Sequence, residues 1–245
     1  MRPALCYTEI PMASAVATSL ETVRQRIADA CGRAGRNPAD IRIMAVTKFH
    51  GADAIQECRD AGITLFGENR VQDATEKYRD LVPEVELHMI GHLQRNKAKL
   101  VPGLFSMVQS IDAARTADAL AKACADAGRS IRVLLEVNVS GEESKHGVAD
   151  REALFRLTEE VAAREELEIA GLMTIAPYTD NYELIRRCFR ELRTFRDEAQ
   201  SRFPELDLSE LSMGMTNDYT IAIEEGSTMI RLGTALLGAR THAAT

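Results

Sequence analysis

The strongest constraint on this chain is an alternation in which short runs of aliphatic and β-branched residues are followed, again and again, by segments with helical spacing. Eight runs read as strands: 41–47, 63–66, 86–90, 107–111, 131–139, 168–174, 210–213 and 228–232. Several are apolar nearly throughout, as in Val133-Leu134-Leu135, the pattern of parallel strands covered by helices. Before the first strand, Val16, Leu20, Val23, Ile27 and Ala34 recur at helical spacing. Gly35 and Pro38 end that helix.

The spacing predicts further helices between the strands. One runs over 53–61 and stops at Gly62, and one carries Val71, Ala74, Tyr78 and Leu81. Asp112 is expected to cap a helix that buries Ala117, Leu120 and Cys124 and ends at Gly128. Asp150 is expected to cap another, with Leu154, Leu157 and Val161 inward. Leu184, Ile185, Cys188, Phe189, Leu192 and Phe195 mark the longest. Thr216 or Asn217 is expected to cap one that stops at Gly226, and a shorter helix follows Gln94. Eight strands with helices between them fit a closed (β/α)8 TIM barrel, here with an extra N-terminal helix. An open doubly wound sheet would carry a glycine-rich turn after its first strand. Here that turn is Thr47-Lys48-Phe49-His50-Gly51. The 245 residues suit one domain over 1–245, with an ordered core over roughly 13–240.

Composition narrows the function classes. A net charge of −7 argues against a general nucleic-acid binder, yet leaves room for a local pocket for one phosphate. No apolar run approaches the roughly 20 residues of a membrane span. Met1 to Pro11 shows no secretory leader pattern, so a cytoplasmic protein is expected. Cys6, Cys31, Cys58, Cys124 and Cys188 are odd in number and scattered, and read as free thiols in a reducing compartment. His50, His88, His92, His146 and His242 form no His-x-x-x-His pair in a predicted helix, so no metal site is expected, and His88 and His92 read as pocket or core residues. No heptad seam points to an obligate dimer, and a monomer is expected.

In a barrel of this kind, reactive groups lie where strands end and the following loops begin. Lys48 directly follows the first strand. Partial burial there disfavours the charged amine, and a neutral amine condenses with an aldehyde. The same lysine could instead reach solvent or meet a phosphate as a point charge. Glu68 and Asn69, after the second strand, could line a pocket or cap a helix. The loops after strands seven and eight form the recurrent phosphate site of such barrels. Here they are Ser212-Met213-Gly214-Met215-Thr216-Asn217 and Arg231-Leu232-Gly233-Thr234-Ala235. Small residues admit backbone N–H groups to phosphate oxygens, and Ser212, Thr216 and Thr234 offer hydroxyls. Arg231 lies among apolar neighbours and needs a partner, either a carboxylate or the ring nitrogen of a pyridine cofactor.

Several stretches, in order, resemble the pyridoxal phosphate homeostasis proteins: Ala45-Val46-Thr47-Lys48, Phe66-Gly67-Glu68-Asn69, His88 through Lys97, Gly171-Leu172-Met173, Leu211 through Thr216, and Gly226 through Gly238-Ala239-Arg240. The resemblance covers nearly the whole chain after about residue 15. It implies a barrel like the N-terminal domain of alanine racemase, the type III fold of pyridoxal enzymes, with pyridoxal 5'-phosphate (PLP) held as a Schiff base on Lys48. It implies that Ser212, Met215, Thr216, Gly233 and Thr234 bind the phosphate, that Arg231 faces the pyridine nitrogen, and that Asn69 and Met173 belong to the cofactor pocket. Lys145, in the loop 140–147, is implied as a secondary contact.

An arginine cannot lend the ring nitrogen a proton, so the electron sink of such a site is weak. Racemases with this arrangement take one acid–base group from a second domain, and 235–245 is too short to encode one. The expected function is therefore reversible PLP binding in intracellular PLP homeostasis, with PLP-dependent apoenzymes as transient recipients and little catalysis. The alternatives are a PLP-dependent amino-acid racemase and a cofactor-free Schiff-base aldolase acting on a sugar phosphate.

Overall fold

The computed structural model describes residues 14–81, 84–142 and 145–238. Helix α1 (Ala15–Ala34) starts at Ser14, whose hydroxyl accepts the Ala17 N–H at 3.1 Å. It stops at Gly35, which takes a left-handed φ of +65° that a residue with a Cβ adopts only at a cost. Eight strands follow: β1 (Arg42–Val46), β2 (Leu65–Glu68), β3 (Glu86–Met89), β4 (Met107–Ile111), β5 (Ile131–Glu136), β6 (Leu167–Met173), β7 (Glu210–Ser212) and β8 (Met229–Leu232). Between and after them lie α2 (Ala52–Asp60), α3 (Val71–Tyr78), α4 (Ala114–Asp126), α5 (Arg151–Ala162), α6 (Tyr182–Arg202), α7 (Tyr219–Glu224) and α8 (Thr234–Leu237).

The strands pair in sequence order, all parallel, and β8 pairs back onto β1 to close the barrel. That register sets Met44 beside Arg231 and Ala45 beside Leu232. The main apolar core lies between strands and helices, as the two-sided burial of the strands requires. Two small clusters, Met44 with Leu65 and Met229, and Met107 with Leu134, Ala170 and Met173, are separate from it. Helix α1 buries Val16, Leu20, Val23 and Ile27 and packs on α7 and α8.

The expected elements are all present, with shifts at their ends. The fifth strand stops at Glu136, and beyond it only an isolated bridge joins Val137 to Val148. The segment after Gln94 is a 3-10 helix, Arg95–Leu100. Two expected caps are corrected, and one open alternative is closed. Ala113, still extended at φ −153° and ψ 143°, stands at the N-cap of α4, so Asp112 lies one residue too early. Asp218, not Thr216 or Asn217, precedes α7, because 216–218 are taken up by a turn. Arg70 precedes α3, so neither Glu68 nor Asn69 caps it. Cys31, Cys58, Cys124 and Cys188 are free and buried. Cys6, His242, the segment 1–13 and the end of the last matching run at Ala239-Arg240 lie outside the described residues. Among the described residues, no helix is long and apolar enough to cross a membrane.

Candidate functional site

The end of β1 is fixed by a buried network. Thr47 Oγ1 donates to Glu68 Oε1 at 2.7 Å and accepts from the Tyr78 hydroxyl at 2.5 Å. Lys77 Nζ donates to Glu68 Oε1 at 2.6 Å and to the Thr47 carbonyl at 3.0 Å. Burial raises the Tyr78 phenol above its ordinary range, so it stays a donor. Glu68 Oε2 is buried with no hydrogen-bond partner. Lys48 follows this anchored residue and is half-buried. Phe49, next in the chain, holds a left-handed φ of +69°, a strained conformation for an aromatic residue.

Arg231 is buried in β8. Its NH1 donates to the Ser212 carbonyl at 2.8 Å and to the Ser212 hydroxyl at 2.7 Å, and its NH2 donates to the Thr174 carbonyl at 2.8 Å. Oxygens of two carbonyls and a hydroxyl, not a carboxylate, therefore accept from it. Desolvation pulls the guanidinium down to about 10, against Asp218 and Glu136, and it remains charged at neutral pH. The Ser212 hydroxyl spends its only proton on Gln109 Oε1 at 2.7 Å. Gln109 Nε2 then donates to His88 Nδ1 at 2.8 Å, which leaves His88 Nε2–H to donate to Glu86 Oε1 at 2.8 Å. Burial lowers His88, in keeping with a neutral ring. The side chain expected on the phosphate, Ser212, is thus turned onto Arg231 and Gln109.

The two closing loops meet. The Ala235 N–H donates to Thr216 Oγ1 at 3.3 Å, and the Arg231 N–H donates to the Gly214 carbonyl at 2.9 Å. Gly214 sits at φ +96°, where an added Cβ would lie 2.6 Å from the Ala222 Cβ. Gly233 lies beside β1, its Cβ position 3.5 Å from the Val46 carbonyl oxygen. Thr234 and Met215 are exposed, and Thr216 and Gly233 are half-buried. The Met215 N–H is already held by Asp218 Oδ1 at 2.5 Å. Burial raises the Asp218 carboxyl.

Across the mouth, Asn69 is half-buried and lines a cavity of about 590 Å³ with His92, Gln94 and Lys97. Gly91 makes room for it, since a Cβ there would lie 2.3 Å from the Asn69 carbonyl oxygen. Met173 is buried with Met107 and Leu134. Lys145 Nζ pairs with Glu142 Oε1 at 2.8 Å. Glu143 and Ser144 of the same loop lie outside the described residues. Glu136, at the end of β5, is buried, and desolvation followed by the charge of Asp112 pushes its carboxyl up to about 7. The structure also brings together His92, Asp112 and His146, which lie in three separate segments and form no helical histidine pair. Sequence reasoning missed Gln109, Glu136 and the role of Glu68. Their one signal is a polar residue inside an apolar strand, as for Gln109, or at its end, as for Glu68 and Glu136.

Fold and site together define an eight-stranded barrel with a half-buried lysine after the first strand and a buried arginine in the last. The chain belongs to the family described as alanine racemase, N-terminal domain, whose model matches residues 18–241, and within it to the pyridoxal phosphate homeostasis proteins. It is 41% identical to the pyridoxal phosphate homeostasis protein of Aquifex aeolicus over 91% of this chain and 97% of that one. With the Escherichia coli K12 protein of the same name the identity is 38%, over 93% and 97%. Among solved structures, PipY of Synechococcus elongatus PCC7942 with PLP bound has a TM-score of 0.80 at 35% identity, covering 91% of this chain and 100% of that one. Alanine racemase from Corynebacterium glutamicum has a TM-score of 0.69 at 17% identity, covering 95% of this chain and 63% of the racemase, and shows the fold alone.

Proposed function

We propose that this protein binds PLP reversibly through Lys48 and takes part in intracellular PLP homeostasis, holding the cofactor and handing it to PLP-dependent apoenzymes, with little turnover of its own. When bound, the cofactor supplies an aldehyde that a primary amine can join and a pyridine ring that can draw electrons. The residues fit that group. Lys48 stands at the end of β1 beside β8, where Arg231 is locked by three hydrogen bonds. Thr216, Gly233 and Thr234 would hold the phosphate, with Met215 at the edge. Asn69 and Met173 would complete the pocket. Ser212 would act through Arg231, because its proton is committed to Gln109.

The observation that carries the reading is the hydrogen bond from Ala235 to Thr216, which joins the two phosphate-type loops next to β1, the strand that Lys48 follows. Arg231 keeps its charge and has no proton to give a ring nitrogen, so it favours holding over carbanion chemistry. The relatives bearing the homeostasis name and the PLP-bound PipY support the reading. We further propose a cytoplasmic monomer of one domain. The test is titration of the protein with PLP, followed by visible absorbance. Lys48→Ala should abolish the band of the lysine-bound form, and holoprotein in deuterated water should exchange amino-acid α-protons no faster than free PLP. Rapid exchange would favour the racemase reading.

A further inference from the structure

Away from Lys48, three side chains from three successive strand ends converge. His92 lies in the loop after β3, Asp112 directly after β4, and His146 in the loop after β5. One nitrogen from each ring and one Asp112 oxygen all lie within 4.8 Å of one another. Each Nδ1 is 3.7 Å from Asp112 Oδ2. The rings stack, with centroids 4.1 Å apart and planes 14° from parallel. Donors around a four-coordinate zinc ion sit about 3.3 Å from one another, given bonds of about 2.0–2.1 Å. Both histidine–aspartate separations are thus within about half an ångström of that spacing. As stacked, the two rings do not aim their nitrogens at one point, but at 40% and 59% exposed both can unstack and turn toward a shared ion by side-chain rotation, while Asp112, at 14%, is the fixed member.

We propose that His92, Asp112 and His146 form a site for a divalent transition-metal ion of the zinc class. Two imidazoles and one carboxylate suit zinc, cobalt or nickel, and not magnesium or calcium, which take oxygen donors. Three protein ligands leave a position open. All three side chains line a cavity of about 480 Å³ that Arg95 and Arg115 also line, so hydroxide or another anion suits the fourth position better than a neutral ligand. A bound ion ties the loop after β5 to the ends of β3 and β4. His92 also lines the neighbouring cavity that holds Asn69, so the ion stands at the edge of the proposed cofactor mouth. The site does not depend on the PLP reading.

The test is cobalt(II) titration of full-length, PLP-free, chelator-treated protein, read by visible d–d absorbance and by calorimetry, with zinc as competitor. One equivalent of cobalt is expected to give bands of a low-coordinate site that zinc bleaches. His92→Ala and His146→Ala should each weaken binding at least tenfold, and Asp112→Asn should do the same. Circular dichroism and an unchanged thermal unfolding midpoint of the metal-free proteins would show that the variants fold. In a parallel measurement, nickel should broaden the ring proton resonances of His92 and His146 and spare those of buried His88. Cobalt binding unchanged by either histidine substitution, no stoichiometric binding, or broadening that leaves His92 and His146 untouched would overturn the proposal. Loss of PLP absorbance in the Lys48→Ala protein with cobalt binding intact would separate the two sites.

Discussion

One nitrogen of Arg231 donates both to the carbonyl of Ser212 at 2.8 Å and to its hydroxyl at 2.7 Å. The same hydroxyl donates to Gln109, so Ser212 links a buried cation to a buried amide. Ser212→Ala should remove both bonds of the hydroxyl, keep the carbonyl bond to Arg231, and leave Gln109 Oε1 without its donor. The expected cost is about 1–3 kcal/mol of unfolding free energy, the range for stranding a buried polar group. Chemical denaturation should show it as a lower midpoint at unchanged slope.

The proposed phosphate grip should respond to a change in the loop after β7. Thr216→Val removes a hydroxyl and the acceptor of the Ala235 N–H. A hydrogen bond to a charged group contributes about 1.5–3 kcal/mol, so PLP affinity should fall by about 10-fold or more. Affinity for pyridoxal, which lacks the phosphate, should hardly change. Equal losses for both ligands, measured by absorbance titration, would remove Thr216 from the phosphate site.

Gly214→Ala should damage both fold and site. The added methyl meets Ala222 at 2.6 Å in a backbone of φ +96°, and the Gly214 carbonyl accepts the Arg231 N–H. Overpacking of this kind typically costs about 1–3 kcal/mol. A lower melting temperature together with weaker PLP binding is expected.

The pH dependence of stability should carry the mark of Glu86. Its hydrogen bond from His88, then that from Arg42, hold its carboxyl down to about 2 against desolvation. A depressed folded pKa contributes stability above the ordinary carboxylate range, and that stability is lost as pH falls toward about 2. Glu86→Gln should be less stable than the parent at neutral pH, and the difference should shrink toward pH 2 in acid unfolding curves.

The alternation of apolar runs made the barrel legible because strands buried on both faces leave continuous apolar stretches, as in Val133-Leu134-Leu135. The same two-sided burial hid the interior. His88, Gln109 and Ser212 join one polar chain, but nothing in a run buried on both faces marks which residues face one another across the barrel. The caps at Asp112 and Thr216 were misplaced by one or two residues, since any Asp or Thr near a strand end mimics a cap. The loop after β7 and Arg231 stood out because glycines and a lone charge interrupt apolar strands. His92, Asp112 and His146 are too far apart in sequence for any local motif, and only the neighbouring positions of β3, β4 and β5 unite them.

The most direct test of the account is to load the protein with PLP, reduce it with borohydride, digest it and locate the modification by mass spectrometry. The account predicts a single phosphopyridoxyl group on the peptide containing Lys48. The same mass on Lys77, Lys97 or Lys145 with Lys48 unmodified, or no stable adduct at all, would contradict it.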